Sequence, residues 1–162
     1  MSKTIAFVPL KMNNERLPGK NIKKLSDGTP LLSLILNSLQ KVRDIDEIYV
    51  YCSDESVTDL LPVGVKFLKR SEHLDLSTTK INEVLSAFAN DAPADIYVLA
   101  HATAPFLTTK SIQEGVDKVK SGNYDSALTV HKMQEFVWKE GWPMNYDLAS
   151  VPRTQDLDPL FI

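Results

Sequence analysis

Apolar runs of strand length alternate with stretches of helical periodicity along the first 130 residues, and no other feature narrows the fold as far. Ile5-Ala6-Phe7-Val8 lies within a first strand over 4–9. Residues 30–42 follow as a helix, with Leu31, Leu34, Ile35 and Leu39 on one face. A second strand over 46–52 ends at Ser53-Asp54, an N-cap for a short helix reaching Leu61, and Pro62 and Gly64 break that helix. Val65-Lys66-Phe67-Leu68 gives a third strand, and Arg70 to Ser77 is a polar loop. Residues 79–91 carry Ile81, Val84, Leu85 and Phe88 at helical spacing before Pro93. A strand over 95–100 runs into a loop over 101–106, a helix spans Ser111 to Val119 with Gly122 as its stop, and 124–130 reads as a further strand. This alternation predicts an α/β fold, a mostly parallel Rossmann-like sheet with helices on both faces.

Length and composition close off other classes. At 162 residues the chain suits one domain with a sizeable core. Its 43% hydrophobic and 24% charged content is that of a globular chain rather than a disordered one. A net charge of −3 with no long basic run argues against a nucleic-acid surface. The single cysteine, Cys52, leaves no internal disulfide and no cysteine-based metal cluster. The first apolar run is too short for a signal peptide and no segment has the length of a membrane span, so a cytoplasmic location is expected.

The densest chemistry follows the first strand. Leu10, Lys11, Met12, Asn13, Asn14, Glu15, Arg16 and Leu17 lead into Pro18-Gly19-Lys20-Asn21. Open α/β sheets place ligands in loops at the carboxyl ends of their strands. Cations (Lys11, Arg16, Lys20) beside amides (Asn13, Asn14, Asn21) suit a phosphate-bearing ligand there. A solvated turn accounts for the same composition equally well. Beyond His131 the pattern changes: Phe136, Trp138, Trp142 and Tyr146 crowd around Gly141 and Pro143. We expect a hairpin or arm outside the main sheet, packed either on a second subunit or back on its own domain.

Taken in order, these pieces resemble the CMP-sialic acid synthetases, or acylneuraminate cytidylyltransferases, relatives of the CMP-Kdo synthetases. The resemblance is carried by Arg16-Leu17-Pro18-Gly19-Lys20-Asn21, Ile48-Tyr49-Val50-Tyr51-Cys52-Ser53-Asp54, Thr103-Ala104-Pro105, Asp125-Ser126 and Arg153-Thr154-Gln155-Asp156-Leu157. It implies transfer of CMP from CTP to the anomeric hydroxyl of an acidic nine-carbon (nonulosonic) sugar, with pyrophosphate released and Mg²⁺ assisting. The implied fold is a nucleotide-diphospho-sugar transferase sheet forming a single nucleotidyltransferase-like domain over 1–162. Its core would span 1–132, and an aromatic-rich arm over 133–162 would join a homodimer.

By the same resemblance Leu10, Lys11, Asn13, Asn14, Arg16, Lys20 and Asn21 would wrap CTP, with Arg16 and Lys20 acting in catalysis. Lys11 stands where the family has an arginine, and Asn14-Glu15 where a serine and a lysine are usual. Arg70 would lie near the cytosine ring and Thr79 would touch the base. As residues alone, Arg70 also fits a solvated surface arginine and Thr79 a helix N-cap. His101 and Thr103 would face the sugar, with His101 replacing a glutamine and Ala104 a serine. His101 is suited to hydrogen bonding or general-base work because its ordinary pKa lies near neutrality. Arg153 and Gln155 would reach the sugar pocket, either their own or the partner subunit's, Arg153 pairing with the sugar carboxylate, although a surface salt bridge also fits Arg153.

The acidic residues that hold magnesium in the family would fall beyond a strand continuing from Phe161. The chain therefore reads either as a C-terminally truncated member or as a shortened relative, and its metal ligands are not identified. Asp54 reads as a cap and Asp125 as a turn residue. Two further readings stay open: a non-catalytic nucleotide-binding relative, and a nucleotidyltransferase for a different sugar.

Overall fold

The computed structural model describes residues 2–13, 17 and 19–162. Two compact units are present, Met1–Ala127 and Leu128–Ile162. In the first, β1 (Thr4–Leu10) leads to α1 (Leu31–Leu39), β2 (Glu47–Cys52), β3 (Val65–Lys69), α2 (Ile81–Asp91), β4 (Ile96–Leu99) and α3 (Thr109–Lys120). The four strands form one parallel sheet in the order β3-β2-β1-β4.

The sheet is covered on both faces, which explains why β1 reads as continuous apolar sequence rather than as alternation. Ala6, Val8 and Leu10 point to the side where Leu32, Ile35, Leu36 and Leu39 of α1 and Ile112 and Val116 of α3 are packed. Ile5 and Phe7 point to the other side, against Val84 and Phe88 of α2. Phe88 lies flat on Phe7 with ring centroids 3.9 Å apart, and Tyr49, Tyr51 and Tyr97 meet its edges. In α1 the buried stripe is rotated from the expected one. Leu32 and Leu36 are buried, while Leu31 and Leu34 stay half-buried.

Pro9 sits inside a central strand without harm. β4 pairs with β1 only from Thr4↔Ile96 to Phe7↔Leu99, so beyond Phe7 no ladder on that side needs a donor from β1. Sheet order reverses about the same line. β1 is followed on one flank by β2 and β3, and on the other by β4, which makes their carboxyl ends the topological switch point.

Other local readings resolve individually. Asp54 does cap the turn that follows β2, accepting from the Ser56 backbone N–H at 2.9 Å, but that turn is a 3₁₀ helix over Glu55–Leu60. Gly122 ends α3 in the left-handed conformation at φ 74°. The strand expected over 124–130 does not form. Leu128 is 81% exposed, and the run has no ladder partner among the described residues. Alternation alone cannot hold a strand whose N–H and C=O groups find no neighbouring backbone.

The second unit contains β5 (Lys132–Met133), β6 (Trp138–Lys139), β7 (Trp142–Pro143) and β8 (Leu160–Phe161). β6 and β7 form the expected hairpin around Glu140-Gly141, both with positive φ as a tight two-residue turn requires. β8 pairs with β5, and His131 and Ile162 exchange backbone bonds at 2.6 and 3.0 Å. Phe136 and Trp138 meet the Tyr146 ring edge-on, and Trp142 is 71% exposed.

Candidate active site

The ends of β1, β2 and β3 are level, because Leu10 pairs with Cys52 and Cys52 with Lys69. Above them opens a cavity of about 570 Å³ whose walls include Met12, Asn13, Ser53, Asp54, Lys69 and Asp75. Three chain segments thus converge where a doubly wound sheet holds its ligand.

The first segment is the loop after β1. Leu10 itself is fully buried in the core on the α1 side of the sheet. Lys11 is half-buried, and Asn13 is exposed on the cavity wall. Gly19 adopts φ 67°, which starts a 3₁₀ turn over Lys20–Ile22 and brings the Lys20 N–H to the Leu17 carbonyl at 3.2 Å. Asn21 is only 8% exposed, and its side-chain amide donates to the Lys11 carbonyl at 3.1 Å. The base of the loop is therefore tied across ten residues. Asn14 and Arg16, also expected at the nucleotide, lie outside the described residues, as do Glu15 and Pro18.

The second segment follows β3. Arg70 is 5% exposed, and both its Nε, at 3.1 Å, and its Nη2 donate to Asp75 Oδ1. The Ser53 hydroxyl donates to the other Asp75 oxygen. The Arg70 backbone N–H reaches the Cys52 carbonyl at 3.1 Å, so the network joins the ends of β2 and β3. Arg70 is thus a buried, paired residue rather than a solvated surface arginine. Thr79 donates its hydroxyl to the His73 carbonyl at 3.2 Å and stitches the loop closed. The residue before α2 is Lys80, whose N–H is capped by the Glu83 carboxylate at 2.9 Å, so Thr79 is not the N-cap.

A further loop, outside the walls of this cavity, follows β4 on the other flank of β1. His101 and Thr103 are exposed there in a turn closed by the Ala104 N–H on the His101 carbonyl at 3.0 Å, and Ala102 is buried between them. The part of His101 that packs against the protein lowers its pKa below the ordinary imidazole value. A lowered pKa keeps the ring neutral, and so able to accept a proton, at physiological pH.

Arg153 and Gln155 belong to the second unit. Arg153 is exposed and donates to Asp156 at 2.7 Å, a local ion pair one turn along. The Gln155 carbonyl accepts from the Gln134 side-chain amide at 2.9 Å, which leaves the Gln155 side chain outside that bond. The residues that sequence reasoning missed are Ser53 and Asp75. Ser53 was signalled by its place one residue past a strand end, whereas Asp75 lay in a stretch read as irregular.

With this geometry in place, comparison with known proteins is decisive at the level of family. The sequence profile described as cytidylyltransferase matches residues 5–149. The chain belongs to the cytidylyltransferase family. N-acylneuraminate cytidylyltransferase A of Danio rerio is 27% identical over 161 residues, covering 93% of this chain and 37% of that protein. The 3-deoxy-manno-octulosonate cytidylyltransferase of Acinetobacter baumannii is 23% identical over 92% of this chain and 64% of its own length. The chain thus spans 37% and 38% of the two zebrafish relatives. The fold of this cytidylyltransferase-family chain is shared with solved structures. A CMP:2-keto-3-deoxy-manno-octonic acid synthetase complexed with CTP matches at TM-score 0.65 and 19% identity over 74% of this chain and 48% of that one. The 4-diphosphocytidyl-2C-methyl-D-erythritol synthase of Anaerococcus prevotii matches at TM-score 0.62 and 14% identity over 99% and 67%. The expected family and the parallel sheet are both borne out.

Proposed function

We propose that the protein carrying this chain transfers CMP from CTP to a sialic-acid-like nonulosonic sugar and releases pyrophosphate. The observation that carries the reading is the cavity at the carboxyl ends of β1, β2 and β3, walled on one side by the loop that Asn21 ties to Lys11. In this reaction the anomeric oxygen of the sugar attacks the α-phosphorus, the bond to the β-phosphate breaks, and the pyrophosphate leaves with that electron pair. The protein has little covalent work in such a step, so its contribution is alignment and charge neutralisation. Lys11, Arg16 and Lys20 are assigned to the phosphates, Asn13, Asn14 and Asn21 to the loop that encloses the nucleotide, and Arg70 and Thr79 to the base end.

On the other flank of β1, His101 and Thr103 are assigned to the sugar, with His101 accepting the proton from the attacking hydroxyl. Arg153 and Gln155 are assigned to the sugar acid. For Arg153 this means exchanging Asp156 for the sugar carboxylate, which its planar fork fits equally well. The exposed aromatic face around Trp138 and Trp142 supports an arm that packs on a second copy of the chain. A cytoplasmic site of action is part of the same proposal, and no described helix is long and apolar enough to cross a membrane.

Mg²⁺ would neutralise the triphosphate and is proposed as the companion ion. The described residues do not fit a protein-held metal, since no group of three or more His, Cys, Asp or Glu is placed to hold one. No step is therefore assigned to the ion.

The similarity to 3-deoxy-manno-octulosonate cytidylyltransferases favours a second reading, in which the acceptor is an eight-carbon sugar acid. Pyrophosphate release from CTP, followed with N-acetylneuraminate and with 3-deoxy-manno-octulosonate, separates the two. The proposal expects release with the nine-carbon acid to exceed that with the eight-carbon acid. No release with either would overturn it.

A further inference from the structure

The charged residues on the walls of the cavity are mostly acidic. Asp54, Glu55, Glu72 and Asp75 all line it, and Lys69, the one cation among its described lining residues, is paired with Glu55 at 2.8 Å. A triphosphate turned into this space would meet like charges. Bringing like charges together carries an electrostatic penalty. The uncharged end of a nucleotide avoids that penalty, so the base belongs in the cavity and the phosphates toward Lys11 and Lys20.

The four carboxylates are not equivalent. Asp54 caps the turn after β2, Glu55 holds Lys69, and Glu72 stands exposed on its own turn. Asp75 alone is both largely buried, with its side chain 14% exposed, and held at each oxygen. Arg70 gives two donors to Oδ1 and Ser53 gives one to Oδ2. A carboxylate has about four acceptor positions, two on each oxygen. Among the described residues three are filled, and the one left belongs to Oδ2, on a side chain that lines the cavity.

We propose that Asp75 determines base specificity, its Oδ2 accepting an N–H from the exocyclic amine of cytosine. Arg70 and Ser53 are then positioning residues that act through it. Uracil presents a carbonyl oxygen where cytosine presents the amine, so acceptor would face acceptor and a buried carboxylate position would go unfilled. The carboxylate is already fixed by three donors, so it need not reorganise when the base arrives. This inference rests on the cytidylyltransferase reading of the cavity.

The test is a calorimetric titration with CTP, UTP and the triphosphate of 2-pyrimidinone riboside, a cytidine analogue that lacks only the amine. The wild-type chain should bind CTP at least about tenfold more tightly than either competitor, a difference of about 1.4 kcal/mol. In Asp75→Asn, whose amide can both accept from cytosine and donate to uracil, the CTP-to-UTP ratio should fall about tenfold. Lys20→Ala should weaken all three ligands together and leave the ratio unchanged. An unchanged ratio in a folded Asp75→Asn would overturn the assignment. So would equal affinity of the wild type for CTP and the amine-free analogue, a comparison that needs no variant to fold. In both cases the nucleotide site itself would stand. Failure of the wild type to bind any of the three would remove the cytidylyltransferase reading together with the role of Asp75.

Discussion

The side-chain amide of Asn21 donates to the carbonyl of Lys11 at 3.1 Å, closing the loop after β1 at its base. Asn21 is nearly buried, so the bond is shielded from water competition. Asn21→Asp keeps the size but loses the donor and sets a carboxylate against a carbonyl. We expect it to cost about 1–3 kcal/mol in a urea melt and to weaken CTP binding about tenfold. A variant with wild-type stability and affinity would show that the loop does not depend on this tie.

Phe88 is the residue on which the α2 face of the sheet closes, stacked on Phe7 and edged by three tyrosines. Phe88→Ala should cost about 3–5 kcal/mol, read as a drop in the denaturation midpoint. A loss below about 1 kcal/mol would mean that the aromatic cluster collapses around the gap.

Much of this was legible in the sequence because local and global signals agree. β1, β2 and β4 are runs of β-branched and aromatic residues, and Gly122 marks the end of α3 by the only conformation that suits it there. What stayed hidden was pairing at a distance. Nothing local links Tyr51 to Asp91, forty residues on, yet the Tyr51 hydroxyl donates to that carboxylate at 2.5 Å, and burial together with that bond pushes its pKa well above the ordinary phenol value. The Arg70–Asp75–Ser53 network was equally invisible, because a polar stretch of mixed charge reads as a loop until its arginine is seen to be buried. The run 124–130 misled in the opposite sense, since its composition suits a strand and only the missing neighbour excludes one.

Thr4 is fully buried with no hydrogen-bond partner for its hydroxyl among the described residues, although its N–H is held by Asp46 at 2.7 Å. Replacing the hydroxyl by a methyl in Thr4→Val removes an unsatisfied polar group at nearly constant shape. The variant should be neutral or more stable by up to about 1 kcal/mol. Destabilisation by more than that in thermal unfolding would reveal a partner for Thr4.

Glu47 accepts from Lys66 and from Lys3, and these bonds lower its pKa from 4.5 to about 2. A carboxyl group whose pKa is lower folded than unfolded stabilises the fold above the unfolded value and loses that contribution as pH falls through the folded one. The contribution should be complete above about pH 4.5 and vanish between there and about pH 2. Partial exposure keeps it to about 1 kcal/mol or less, and salt should shrink it further. Glu47→Gln should flatten that part of the stability profile and leave the profile above pH 5 parallel to wild type. An unchanged acid limb would contradict the pairing.

Lys20 carries the central claim, because it lies in the turn that ends the first loop and the proposed function assigns its charge to phosphate. A charge-assisted contact of this kind is worth about 1.5–3 kcal/mol. The most direct test is calorimetric titration of CTP into the wild-type chain and Lys20→Ala, with unfolding midpoints measured on the same samples. We predict saturable binding that weakens at least about tenfold in the variant while the midpoint stays the same. Equal affinity in the two proteins, or no saturable binding of CTP to the wild type, would contradict the account.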